Sequence, residues 1–373
     1  MKKRRSFIII VFIVSFCAPV FCAPGDQGEY ELEFILRGKI GSEIKKEELF
    51  FDIADVKADN QGNIFILDSR NNCVRKFSKE LNFLGEAGRE GQGPGDMNSP
   101  SALAIDSKGN VFIADNGNMR INILDNNLEY IKSIRLIKSV SIKKIFIDGK
   151  GNIWLLVAPM LKDERYFHVY SSEGVFLKSF FNEFHPFAPK MNSAQELRDN
   201  INSLIYLGGQ AVLSHDQSKI AFTYYVPWNP LIIYIFDTEG NLRQTIKRPI
   251  RGYDPEKQRK VIENVVQKKT ANLRGTHVVS YTVGLHFTKD GNLVLQRYDQ
   301  IYEDGKPALY KTYVDLFSPG GELLLSGKEF SDQIISIDNN DNVYACPYPE
   351  INQLEVYSLI IKKKAAANAS QGD

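Results

Sequence analysis

Five histidines are the first residues to ask for chemistry: His168, His185, His215, His277 and His286. None stands in the His-Glu-x-x-His spacing that places two imidazoles on one helical face around zinc, and no Gly-x-Ser-x-Gly elbow offers an activated serine. Scattered as they are, they meet at a metal only if the fold brings them together. A second candidate is "GREGQGPGD", Gly88 to Asp96. A phosphate loop aims the amides of a helix N-terminus at the anion and in its usual form ends in Gly-Lys-Ser/Thr. That ending is missing, and the following "SPSALAID" reads as a strand, so these glycines punctuate the chain rather than cradle phosphate. A third candidate is a recurring Asp-x-x-Gly-Asn, as in "DSKGN" from Asp106. It lacks the ligand count of a calcium loop. Its Asp is instead suited to accept hydrogen bonds from the backbone of its own turn.

The elements around these residues repeat. "VKADNQGNIFILD", "LAIDSKGNVFIAD", "IFIDGKGNIWLLV", "HFTKDGNLVLQR" and "ISIDNNDNVYAC" align, with a weaker copy in "VLSHDQSKIAFTY". Each is an apolar strand, a tight polar turn and a second apolar strand. At the turn a glycine (Gly62, Gly109, Gly151 or Gly291) can take positive φ without steric cost. Two further strands follow each hairpin, as in "IIYIFDTEGNLRQTI" and "YVDLFSPGGELLLS". Four-stranded units recurring every ~40–50 residues are propeller blades. The sixth copy lacks a fourth strand, and "YELEFILRG", from Tyr30 to Gly38, is a strand without a repeat. The sequence therefore predicts an all-β fold over residues 29–362: a six-bladed β-propeller of four-stranded antiparallel blades, its ring closed by the N-terminal strand. Closure removes the unpaired sheet edges an open ring would leave.

With "GQGPGDMNSPSALAIDSKGNVFIADNGNMRINILD" in view, the chain resembles the NHL-repeat propellers and the exported bacterial six-bladed β-propeller proteins related to them. The resemblance rests on the Gly-Pro-Gly connection, the Pro before the first strand, the Asp-x-x-Gly-Asn turn and the Asp…Asn-x-Arg-Ile pattern. It covers nearly the whole chain after the N-terminal segment, and blade four matches poorly. It implies a fold that hosts binding modules and lyases alike, so it does not choose a function. The family's Asp and Arg positions fall on Asp115 and Arg120, a pair the resemblance makes mainly structural. In blade one Asp68 matches, but Cys73 stands where the Arg would be.

At the N-terminus, Lys2 to Arg5 precede an apolar run from Phe7 to Phe16, too short to span a membrane and suited to a signal peptide over residues 1–23. Export to the periplasm or the cell exterior is the expectation, with Cys17 or Cys22 open to lipidation as an N-terminal membrane anchor. The tail over 363–373, rich in alanine and small polar residues, is expected to be disordered. A net charge of +1 gives no general electrostatic argument for nucleic acid. A monomer is expected.

Two regions of such a ring could hold a site. One face gathers the loops between second and third strands: Arg70, Arg165, Tyr225, Trp228, Arg297, Tyr298, Tyr302 and Tyr348 are its candidates for ligand or partner binding, because aromatic and Arg side chains dominate recognition surfaces. Two long insertions, Asn182 to Gln210 and Arg248 to Val283, join that face. The innermost strands offer Asp55, Lys57, Lys144 and His286 to the central channel, with pairing of Asp55 to a lysine as the simplest account of the charges. The reading is an exported, non-catalytic propeller that binds a protein partner or small ligand on its loop-rich face, without a cofactor. The alternative is a hydrolase or lyase of the lactonase, esterase or amidating-lyase kind, with calcium or another divalent metal over the channel. For Cys73 and Cys346 two readings stand: a disulfide across the ring seam, which an oxidising compartment permits, or two unrelated buried thiols.

Overall fold

A computed structural model describes residues 27–41, 45–136, 141–159, 164–183, 208–226, 230–248, 260, 276–304, 306–347 and 352–364. The signal-peptide expectation, the expected tail beyond Lys364, Cys17, Cys22, Trp228, Tyr348 and most of both insertions lie outside these residues, while Lys363, expected to begin the disordered tail, is the last residue of a strand. The described residues form six antiparallel sheets, one per blade. Blade one is Ile53–Ala58, Ile64–Asp68, Cys73–Phe77 and Phe83–Ala87. Blade two runs from Pro100–Ile105 to Tyr130–Arg135, blade three from Ile142–Ile147 to Phe176–Phe180, and blade four from Gly209–Leu213 to Leu242–Arg248. Blade five is Thr276–Phe287, Leu293–Glu303, Lys306–Phe317 and Leu323–Glu329. Blade six is Gln333–Ile337, Asn342–Cys346 and Leu354–Lys363, completed by Tyr30–Ile40 from the other end of the chain.

The first hairpin of each blade turns for a physical reason. At Asp106 the backbone closes through Gly109 N–H to Asp106 O and Asp106 N–H to Asn110 O, both 3.0 Å, with Gly109 at φ +86. The carboxylate then collects the amides of Lys108 and Asn110 on Oδ1 and the Asn110 side-chain amide on Oδ2, at 2.8–2.9 Å. Asp59, Asp148 and Asp338 repeat the pattern. In blades three and six an aromatic residue of the second strand joins in, Trp154 Nε1–H and Tyr344 O–H each donating to the turn Asp at 2.9 Å. These carboxylates hold turns.

Between neighbouring blades lie apolar layers. Val56, Ile64, Ile66 and Phe77 of blade one face Tyr344, Cys346 and Val356 of blade six across the seam. The N-terminal strand contributes at both of its ends. Ile40 enters that layer, and Leu32 is fully buried between blades five and six with Val314, Leu316 and Val343. Its register with the last strand runs from Tyr30 opposite Lys363 to Ile40 opposite Leu354. Just before it, Gln27–Gly28 pairs with Ser326 and Leu325 as a fifth strand of blade five. The chain start therefore fastens two blades.

Asp115 and Arg120, which the resemblance makes mainly structural, form an ion pair. Arg120 Nε donates to Asp115 Oδ2 at 2.9 Å, and its other nitrogens reach the carbonyls of Gln92, Gly93 and Asp96. The glycine-rich connection is thus held from below by a guanidinium. In blade one Arg75, two residues past the expected place, stands 3.6 Å from Asp68 and bonds the Leu49 carbonyl.

The disulfide reading is corrected: Cys73 and Cys346 are both free and buried. Cys346 packs among the apolar side chains of the seam. Cys73 begins a third strand, and its Sγ lies 3.7 Å from Glu86 Oε2 on the fourth. Second and third strands sit at different radii in a blade, so sharing a face does not bring the thiols together. Burial pushes both thiols up to about 12, which keeps them protonated.

Candidate functional site

Blade five departs from the other blades, and the site lies where it does so. The stretch from Arg297 to Lys306, expected as a loop between strands, is instead an extended hairpin. Its strands pair from Leu293 opposite Phe317 to Glu303 opposite Lys306. Residues 276–283, counted in sequence with the second insertion, are the start of the innermost strand, Thr276 pairing with Glu303. Period-two alternation in "LVLQRYDQIYE" and "KPALYKTYVDLF" carries both strands past the usual blade height.

One face of this extension is a tyrosine ladder. Tyr281 and Tyr298 are directly opposed with ring centroids 6.4 Å apart, and Tyr298 stacks on Tyr310 at 5.8 Å with planes 22° apart. Such pairs are ordinary sheet-stabilising contacts. Here Tyr281 and Tyr298 also wall a cavity of about 430 Å³, which Tyr225, Gln210, Thr282, Thr312, Ser331 and Gln333 complete. Burial pushes the Tyr225 hydroxyl up, so at neutral pH it is a neutral donor. The ladder and these amides and hydroxyls make a pocket with flat apolar walls and uncharged polar groups, the usual composition of a small-ligand site.

Gln210, Tyr225, Val283 and Gln333 also line a second cavity, of about 530 Å³, which follows the central channel past the innermost strands. Strand pairing sets its levels. Asp55, Ala102, Lys144 and Gly284 each oppose the fourth residue of their second strand, Gln210 and Gln333 the fifth of second strands that begin one residue earlier, and the six form one level. Lys57, Ala104, Phe146, Val212, His286 and Ser336 form the next. The expected pairing is present: Lys57 Nζ donates to Asp55 Oδ1 at 2.6 Å, and Lys144 Nζ stands 3.7 Å from the same oxygen. Asp55 also receives the amides of Val56 and Leu103. Burial pushes its carboxyl up, but the Lys144 and Lys57 ammoniums more than offset this and hold it below the usual carboxylate range. The His286 imidazole is driven down to about 3 by burial and by the same two lysines, so it is neutral.

The expected face residues separate into three groups. Tyr225 and Tyr298 meet at the cavity. Arg70 is exposed on its turn, and Arg165 is half-buried, donating to the Glu164 carbonyl at 3.4 Å. Arg297 and Tyr302 are buried. Arg297 Nε bonds Asp315 Oδ2 at 2.9 Å, and the same carboxylate takes Arg248. Arg297 occupies the position of Asp115, and its acid partner comes from the third strand, so the pair of blade two recurs with its signs exchanged. Its role is to hold the blade. Sequence reasoning missed Tyr281, Tyr310, Gln210 and Gln333. The alternation in "THVVSYTVGLHF" was the available signal for Tyr281. The amides carried none, since only the shared strand level brings Gln210 and Gln333 to one mouth. Among the described residues no three His, Cys, Asp or Glu side chains are grouped to hold a metal ion.

Residues 40–230 match the model of the 6-bladed beta-propeller family. NHL repeat-containing protein 3 of Homo sapiens is 34% identical over 91 residues, which are 24% of this chain and 26% of that protein. The chain thus matches about a quarter of this relative's length. Two solved structures share the fold. One is a member of the DUF4221 family from Bacteroides vulgatus, 10% identical, with a TM-score of 0.55 over 90% of this chain and 99% of that one. The other, described as a candidate exported protein of Bacteroides fragilis, is 14% identical, with a TM-score of 0.56 over 90% of this chain and 96% of that one. At these identities the two structures speak for the fold alone. The family match extends from the N-terminal strand into blade four, across more than half of the sequence, and with six four-stranded sheets closed by that strand it settles the matter: this chain belongs to the 6-bladed beta-propeller family.

Proposed function

We propose that this is an exported, non-catalytic propeller that binds a small ligand at the channel mouth beside blade five. The observation that carries the reading is the tyrosine-walled cavity shared by Tyr225, Tyr281 and Tyr298 with Gln210 and Gln333. Stacked phenol faces suit a planar or apolar ligand surface, and two amides suit its uncharged polar edges. The basic start and short apolar run at the N-terminus support export. A metal-dependent reaction draws no support from the described residues, where the groups that would hold the ion are not gathered.

The test is a thermal-shift screen of glycans, nucleosides, aromatic acids and short peptides against the wild type, repeated for each hit on Tyr298→Ala and Tyr225→Ala. Loss of the shift by at least tenfold in affinity in both variants, with folding retained, is the expected result. Hits that bind both variants as well as the wild type would place the ligand elsewhere and overturn the reading.

A further inference from the structure

Around Asp55 the channel carries a local excess of positive charge. Two ammoniums, Lys57 and Lys144, share one carboxylate, Asp55, and the neighbouring imidazole is neutral. Lys57 spends two of its protons on Asp55 Oδ1 and the Val56 carbonyl, at 2.6 and 3.1 Å. Lys144 at 3.7 Å is beyond hydrogen-bond distance of Asp55 and makes no hydrogen bond among the described residues. Asp59, Asp106 and Asp338 keep their charge at the far rim of the cavity, but they lie on the hairpin turns beyond this level and their oxygens face the turn donors, so the excess of positive charge is local to Asp55, Lys57 and Lys144.

A second, independent observation comes from the adjoining level. His286 is more than nine-tenths buried, lines the channel, and its Nε2 has no hydrogen-bond partner among the described residues. The ring reaches up over Gly284: a Cβ there would lie 3.0 Å from Nε2. Gly284 has no side chain of its own, so the imidazole fills the place one would take at the level of Asp55 and Lys144. A buried polar atom left without a partner costs free energy unless something occupies the adjoining space.

We propose that the channel is a binding site for a small organic carboxylate, held by the Lys144 and Lys57 ammoniums with the His286 Nε2 beside it. One negative charge neutralises the level. A phosphate dianion would overshoot it, so the net charge of two lysines and one aspartate selects a monoanion. The neutral wall atoms of Gln210, Gln333 and Ser336 supply further donors without changing the sum. This goes beyond the mouth reading and does not rest on it.

Acetate is the probe, titrated into the full chain in a chloride-free zwitterionic buffer, with binding read from acetate 13C relaxation and from the His286 ring resonances. Saturable binding with a Kd on the order of 1 mM is expected, the range open to a ligand of four heavy atoms. Lys144→Met should weaken it at least tenfold, and Lys150→Met, at an exposed ion pair with Glu239, should leave it unchanged. Tyr298→Ala should also leave it unchanged, which separates failure here from failure of the mouth reading. Should Lys144→Met not fold, the wild type alone decides, since acetate must shift the His286 ring resonances as it saturates. No saturation, a silent His286, or phosphate binding more tightly than acetate would overturn the proposal.

Discussion

Replacing His286 with Asn should flatten the acid side of the stability curve. The imidazole pKa falls from an ordinary 6.5 to about 3 in the folded chain, through burial first and then through Lys144 and Lys57, with Asp55 and the Ile334 backbone opposing. The folded value is depressed, so the unfolded chain takes up the proton first. The stability tied to the neutral ring is complete above about pH 6.5 and is lost as pH falls toward the folded value. At pH 5 the unfolded chain is favoured by ~1.5 pH units of protonation, about 2 kcal/mol, and the figure holds for any folded pKa below about 4. Urea unfolding at pH 7 and pH 5 measures it. The wild type should lose about 2 kcal/mol more than His286→Asn across that interval, because the carboxylates and other histidines titrate alike in both and cancel. Buffers should be free of carboxylates and chloride, since an anion in the channel would itself stabilise the folded state. If the two proteins lose stability equally, the ring titrates at its ordinary pKa in the folded chain, and the account of a dry, lysine-flanked imidazole is wrong.

Three further outcomes follow from the packing. Leu32→Ala, at 0% exposure between blades five and six, should cost about 2–5 kcal/mol, or ~4–9 °C of Tm for the roughly 270 described residues. Leu36→Ala, on the same strand but 46% exposed, should stay within about 0.5 kcal/mol of the wild type, and equal effects in differential scanning calorimetry would refute the closure of the ring by this strand. Cys73 and Cys346 should resist a thiol reagent until the chain unfolds, and dithiothreitol should leave Tm unchanged; native labelling or a reductant-sensitive Tm would contradict two buried free thiols. Asp315→Ala should destabilise by about 3–5 kcal/mol by stranding the buried Arg297 and the partly buried Arg248, and a neutral result in urea titration would mean neither guanidinium depends on that carboxylate.

The fold was legible because each blade writes the same local physics. In blades one to three an Asp that accepts its turn's amides and a glycine at positive φ fix the hairpin, as in "DSKGN" and "DGKGN"; Ser214 and Thr288 stand in for the Asp in blades four and five, and Gln217 and Asp341 for the glycine in blades four and six. The closing strand was legible by subtraction, since Tyr30–Ile40 had no partner within its own repeat. The site was less so. Tyr225 and Tyr298 were found by residue type. The same rule also chose Arg297, which is buried in an ion pair, because type alone does not say which face of a strand a side chain takes. Reading the Arg297–Lys306 segment as a loop hid its alternation, and with it the Tyr281–Tyr298–Tyr310 ladder. The disulfide failed on radius, a coordinate that a strand list does not contain.

What distinguishes this ring is where its repeat breaks. If every blade obeyed the pattern of blade two, the two channel levels would read alanine throughout, as at Ala102 and Ala104, and the channel would be a featureless apolar tube. Charge enters through two blades only, Asp55 and Lys57 from blade one and Lys144 from blade three, and blade five adds the neutral imidazole of His286. The burial cost of Asp55 is offset by Lys57 of its own blade and Lys144 of blade three, and His286 fits because Gly284 leaves the space. Blade five breaks the pattern further, lengthening three strands into the hairpin that walls the mouth. Stability is spread over six nearly equivalent layers, which leaves the inner strands free to depart from the pattern. The departures coincide at one end of one channel, the arrangement expected where a symmetric scaffold is kept for strength and its asymmetry for recognition.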